Sequence, residues 1–183
     1  ESSGQGKVIF SYEESYGYML GDYVRDKDAV TASLALTEMV AWYAGQGMTL
    51  YDALQELFVK YGYYGEKTLN LVMPGLDGLA KMKGLMSDLR VNPPIQIAGV
   101  PVVTRKDYST GMEISVATGI QNAMDLSGSN VLRYQMDDGT DLIVRPSGTE
   151  PKVKVYILAR GESREDCDEK IAKYTAWAET LKQ

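Results

Sequence analysis

Histidine is absent from the 183 residues and cysteine occurs once, as Cys167. The first absence excludes a His-based catalytic triad and a Cys/His zinc site; the second excludes an intrachain disulfide and makes a reducing cytoplasm the expected compartment. Positive charge is in deficit, with 19 Lys and Arg against 25 Asp and Glu and a formal net charge of -6. No broad basic surface is available for counterion release, so neither nucleic acid nor an anionic membrane is an expected partner. Long apolar runs are missing as well: none approaches the ~20 residues of a membrane span, and no signal-peptide pattern opens the chain. The first residue is Glu1 rather than Met, and strand-like KVIFSY follows almost at once, so a fragment of a longer protein is expected.

What is present is 44% apolar content, ordinary for a globular protein. KVIFSY reads as a strand feeding a tyrosine-rich loop punctuated by Gly17 and Gly21. From Asp28 the apolar residues fall almost all round a helix stopped by Gly45 and Gly47, a breadth that predicts burial. Thr49 with Asp52 makes a capping box for a second helix ending at Gly62, expected to pack on the first. Leu69, Leu71 and Met73 then alternate as a half-buried strand, and Leu79, Met82, Leu85, Met86 and Leu89 mark a helix closed before Pro93-Pro94. The methionine-rich stripe reads as core. IQIAGVPVVTRKDY is an interrupted strand, and residues 109–128 read as a long irregular excursion. VLRYQM-DDGT-DLIVR is a hairpin signal, KVKVYILA a further strand, and Ser163 caps a last helix. The expected fold class is α+β: residues 63–183 form an open antiparallel sheet with helices on one face, and residues 1–62 precede it. A lone strand has no sheet to join, so the first part is not expected to fold by itself.

Between two apolar strands stands RPSGTEP, residues 145–151. Arg145 offers a planar guanidinium fork, Ser147 and Thr149 offer hydroxyls, and the amides around Gly148, a residue free to take φ > 0, form an anion-binding nest. It is not a Walker loop, since GxxxxGK spacing is absent and no helix follows. Read locally, it serves equally as a phosphate cradle or as a tight strand connection with a solvated arginine.

RPSGTEPKVKVY resembles the phosphate-binding signature in the last domain of the α-D-phosphohexomutases, and SYEESYGY resembles the sugar-binding loop of their third domain, GE(E/M)SGH-like. DYVRDKDAV is similar to the branch that holds bacterial phosphoglucomutases and phosphopentomutase-like enzymes. The resemblance runs in order along essentially the whole chain. It implies that residues 1–62 end a sugar-binding α/β third domain and that 63–183 form the phosphate-binding fourth domain. By match, Glu13 and Ser15 grip sugar hydroxyls, Arg145, Ser147, Gly148 and Thr149 hold a phosphate, and Lys27 acts at the reacting centre by electrostatic stabilisation or proton transfer. A carboxylate accepts two sugar hydroxyls, but a loop acid such as Glu13 is by itself usually solvated, and Lys27 between Asp26 and Asp28 could equally be a surface ion-pair member. Tyr12, Tyr16 and Tyr18 read as packing rather than as stacking platforms.

The resemblance further implies reversible exchange of hexose 1-phosphate and hexose 6-phosphate through a phosphoserine and a bisphosphate intermediate, with Mg²⁺ bound outside this chain and no cofactor within it. The partners implied are a phosphosugar and the N-terminal domains of the same protein. Two look-alikes are rejected: Thr31-Ala32-Ser33 copies the start of a TASHNP phosphoserine loop but reads as buried helix, and Asp137, Asp138 and Asp141 imitate a DGDxDR metal loop but sit at a hairpin turn expected in solvent. A second arginine that several family members carry on the strand after the loop has no counterpart; Lys152 or Lys154 stands where it could be replaced, or the two form a plain solvated face. The fragment alone is expected to be inactive; the alternatives are a non-catalytic sugar-phosphate-binding module, or mannose or pentose phosphate specificity.

Overall fold

The structure, a computed structural model, describes residues 6–13 and 16–182. The chain divides into two compact units, Glu1–Lys60 and Tyr61–Gln183. Among the described residues no helix is long and apolar enough to cross a membrane.

In the first unit β1 (Phe10–Tyr12) pairs antiparallel with β2 (Tyr18–Leu20), Ser11 opposite Met19. The tyrosine-rich segment therefore contains a second short strand where a loop was expected. Helix α1 (Ala29–Ala44) starts on Asp28, whose carboxylate accepts from the amides of Val30 at 2.9 Å and Thr31 at 3.4 Å. Tyr23 donates its hydroxyl to the same carboxylate, and these bonds, Tyr23 foremost, hold Asp28 below the usual carboxylate range. Helix α2 (Leu50–Tyr61) carries the predicted capping box: the Thr49 amide donates to Asp52 at 2.8 Å and the Asp52 amide to the Thr49 hydroxyl at 3.1 Å.

Burial of α1 is not found. None of its residues is buried, and Leu34 and Trp42 are 61% and 62% exposed. Nor do α1 and α2 form a substantial interface; α1 lies against β2, and of α2 only Ala53 is buried. The reason is geometric: a helix apolar all round needs cover on several sides, and a ribbon of two three-residue strands covers one.

The second unit is an antiparallel sheet in the order β3-β10-β9-β8-β5-β6-β7, with β4 paired to β5. Its strands are β3 (Tyr63–Val72), β4 (Gln96–Ile97), β5 (Val100–Asp107), β6 (Met112–Ser115), β7 (Gln121–Ala123), β8 (Leu132–Met136), β9 (Asp141–Pro146) and β10 (Lys152–Gly161). Helices α3 (Gly78–Val91) and α4 (Arg164–Thr180) cover one face. Leu71, Leu142, Val144, Val153, Val155 and Ile157 line that face with no exposure, joined by Met82 and Met86 of α3 and Tyr174 of α4. Ser163 accepts the Asp166 amide at 3.1 Å, as its place ahead of α4 predicts. The fold is thus the expected α+β arrangement.

Two segments differ from expectation. β3 begins at Tyr63, ahead of the alternation over Leu69, Leu71 and Met73; a Cβ on Gly65 would stand 2.8 Å from Ile171 of α4, so this glycine lets the helix approach the strand. Residues 109–128 are not an irregular excursion but hold β6 and β7, whose short mixed sequences give no alternation to read. The register of β5 against β8 also shifts between Val102 and Thr104, and this β-bulge turns Arg105 and Asp107 onto the helix-bearing face.

Candidate functional site

Glu13 directly follows β1, and its amide donates to the Gly17 carbonyl at 2.8 Å, closing a tight loop between the two strands. Tyr16 within that loop takes φ 65°, a left-handed conformation unusual for a tyrosine. Lys27, 14 residues further on, reaches back so that Nζ donates to both carboxylate oxygens of Glu13, at 3.1 and 3.3 Å. Glu13's hydrogen bond and charge raise the Lys27 pKa, so the ammonium is held firmly charged. Both side chains stay about half exposed, 52% for Lys27 and 48% for Glu13. Glu13 and Lys27, picked out for different roles, therefore meet as one pair. Ser15 lies outside the described residues. Sequence reasoning missed Gly17 as part of this site: a Cβ there would fall 2.2 Å from Cδ of Lys27, so the lysine stem crosses where only hydrogen fits.

Tyr12 and Tyr16 are largely exposed, and Phe10 stacks on Tyr12 and Tyr18 at 5.7 and 6.3 Å between ring centres. The packing expected of the three tyrosines is thus limited to Tyr12 and Tyr18 against Phe10, and Tyr16, 87% exposed, does not share it.

The second loop joins β9 to β10. Arg145 sits directly opposite Lys154, and Pro146 opposite Val153. Because Val153 faces the core, Arg145 and Lys154 share the face away from the helices. Like charges placed directly opposite repel, and Lys154 also acts, more weakly than Lys152, on the Glu150 carboxylate. Lys154 Nζ lies 5.9 Å from the Tyr156 ring centre. Lys152 pairs instead with Glu150, and that bond holds the Glu150 carboxyl below its usual range. The turn is closed by the Ser147 amide donating to the Lys152 carbonyl at 2.8 Å. The Ser147 hydroxyl accepts long bonds from the amides of Thr149, 3.4 Å, and Glu150, 3.3 Å. Gly148 does not take positive φ, contrary to the use expected of it; instead a Cβ there would meet nothing within 4 Å. Its lack of a side chain leaves open space above the amides.

The look-alikes resolve differently. Ser33 is helical as expected, its hydroxyl donating to the Ala29 carbonyl at 2.7 Å, but it is exposed rather than buried because α1 itself is exposed. The acidic turn is not simply in solvent. Asp138 accepts from Tyr174 Oη at 2.8 Å and Lys173 Nζ at 3.0 Å, and Asp141 accepts from Arg133 at 2.7 and 2.8 Å. Among the described residues no three Asp, Glu or Cys side chains gather as a metal-holding group. Asp138 and Asp141 are thus engaged by Tyr174, Lys173 and Arg133, and no step is assigned to a metal here.

The family description "Phosphoglucomutase/phosphomannomutase, alpha/beta/alpha domain III" matches residues 2–61, and "Phosphoglucomutase/phosphomannomutase, C-terminal domain" matches residues 70–173. A phosphoglucomutase of Staphylococcus haemolyticus is 36% identical over 166 residues, covering 91% of this chain and 30% of its own length. One from Staphylococcus aureus is 34% identical over 168 residues, covering 90% of this chain and 30% of its own length. The chain thus spans 30% of the length of these relatives.

Proposed function

The chain belongs to the phosphoglucomutase/phosphomannomutase family, and on that premise we propose that it is the part of a cytoplasmic phosphoglucomutase that orients the sugar and anchors the phosphate not being transferred. The observation that carries this reading is the pair of cations, Arg145 and Lys154, set across two strands beside a turn whose amides end on a single serine hydroxyl. A phosphate relieves the repulsion between the two side chains, takes a bidentate contact from the guanidinium and a point contact from the ammonium, and accepts the Thr149 and Glu150 amides in place of their long bonds to Ser147. Open space at Gly148 admits it. Of the two candidate lysines, Lys154 replaces the second arginine, since Lys152 is already held by Glu150.

At the other loop, the Glu13 carboxylate accepts sugar hydroxyls, a role that the resemblance also gives to Ser15, and Lys27 is released from one of its two bonds as the sugar arrives. Lys27, an ammonium already facing a carboxylate, stabilises negative charge developing at the reacting phosphoryl group. The groups that give and take the phosphoryl group are assigned to the N-terminal domains: the only TAS sequence here is helical, and the acidic turn is engaged by Lys173, Tyr174 and Arg133. Anchoring the remote phosphate supports turnover as well as affinity, because binding energy away from the reaction fixes the reacting geometry.

The test is Arg145→Ala and Lys154→Ala in the full-length protein, assayed with glucose 1-phosphate. Each is expected to lower kcat/KM by roughly 1.5–3 kcal/mol, about tenfold to a hundredfold, as for loss of a hydrogen bond to a charged group. Unchanged kcat/KM in both variants refutes the phosphate assignment. The 183-residue chain alone is expected to show no mutase turnover.

A further inference from the structure

The β5 bulge places a third polar cluster on the helix-bearing face of the sheet. Arg105 stands opposite Tyr134 of β8 on one side and Ile114 of β6 on the other, and Ile114 stands opposite Gln121 of β7. In the next row Asp107 stands between Leu132 and Met112. Directly opposed residues of an antiparallel pair share a face, so these side chains extend the surface on which Leu132 and Tyr134 are buried. With Arg90 at the end of α3 they line a cavity of about 260 Å³.

The charges in this cavity do not balance. Arg90 Nε donates to Asp107 at 2.9 Å, and its Nη2 donates to Asp107 at 3.3 Å and to Asn130 at 2.6 Å. Burial works against ionisation of Asp107, but the bonds from Arg90 and Ser109 prevail and hold its carboxyl below the usual range. Arg90 and Asp107 thus satisfy one another. Arg105 makes no hydrogen bond or ion pair with any described residue, although it is half-buried against apolar walls. A partly desolvated guanidinium without a counter-charge is costly, and a bound anion removes that cost.

We propose that this cavity is a second anion site, on the opposite face of the sheet from Arg145, for a small phosphate or carboxylate carried on an apolar body about the size of one ring. The Arg105 fork takes the anionic head bidentately, the Gln121 amide donates beside it, and Ile114, Met112 and Tyr134 form the wall for the body. Arg90 is held by Asp107 and adds long-range attraction without being a ligand.

The test is amide chemical-shift titration of the ¹⁵N-labelled chain with phenyl phosphate, benzoate and inorganic phosphate. Phenyl phosphate or benzoate is expected to shift the amides of Met112, Ile114 and Gln121 saturably, and whichever binds identifies the head group. Arg105→Gln is expected to weaken that binding about tenfold or more. Arg105→Lys, which keeps the charge without the fork, restores part of it. Arg145→Gln leaves these shifts intact while abolishing those of Ser147 and Thr149, which separates the two sites. The site is overturned if the β5–β7 amides do not move with either organic anion, or move as strongly in Arg105→Gln as in the parent. Inorganic phosphate binding as tightly as phenyl phosphate overturns the apolar-body assignment.

Discussion

Within the Glu13–Lys27 loop, Gly17 carries a requirement for a residue without a side chain. A methyl group there would lie 2.2 Å from Cδ and 2.8 Å from Cγ of Lys27 and 3.3 Å from a Glu13 oxygen. Since the lysine stem is flexible, Gly17→Ala is expected to leave stability almost unchanged while it displaces Lys27 and opens the pair. In the full-length protein we expect a roughly tenfold fall in kcat/KM, the scale of a misplaced contact group; equal kinetics with an intact fold would remove Gly17 and Lys27 from the site together. At this scale the sequence was informative about residue types and silent about partners. Glu13 and Lys27 are visible as candidates, but no local signal says that a lysine 14 positions away turns back onto the carboxylate. Arg145 is likewise visible in its motif, whereas its neighbour Lys154 follows from strand register.

The β8–β9 hairpin shows how one element is fastened to another. Its turn residue Asp138 accepts from Tyr174 and Lys173 of α4 and from the Thr140 amide at 3.1 Å. Burial of the Asp138 carboxylate disfavours its charge, yet these bonds outweigh burial and its pKa is lowered; the same burial and the bond to Asp138 push the Tyr174 hydroxyl well up. A lowered carboxyl pKa adds stability that is complete above the unfolded-state value near ~3.9 and is lost as pH falls through the folded value. Asp138→Asn is therefore expected to cost about 1.5–3 kcal/mol at neutral pH, read from urea unfolding, and to flatten the acid limb below about pH 4. An unchanged midpoint and acid limb would show that the hairpin is held otherwise. The elements themselves were legible where their periodicity is strong: α3, α4 with Ser163, and the Asp-Gly hairpin. β6 and β7 were not, being four and three residues long with no apolar alternation, and the β5 bulge reverses the face that simple alternation assigns to Arg105.

For the whole molecule, the two units differ in kind. The buried residues of the second unit are supplied by its own sheet and helices, so residues 61–183 are expected to fold without residues 1–60. Expressed alone, that segment should unfold cooperatively in urea with the midpoint it has in the 183-residue chain; a broad, non-cooperative transition would refute the independence. Residues 1–60 alone should show no such transition, because α1 buries none of its side chains. The sequence by itself determined the α+β class, the capped starts of α1, α2 and α4 and the identity of the charged loops, since these depend on local chemistry: side-chain caps, turn residues and repeat period; the family followed from the resemblance of its motifs. Tertiary structure alone decided that Glu13 meets Lys27, that Lys154 rather than Lys152 flanks Arg145, and that Arg105 turns inward, because pairing register and bulges are settled by contacts between residues far apart in the chain.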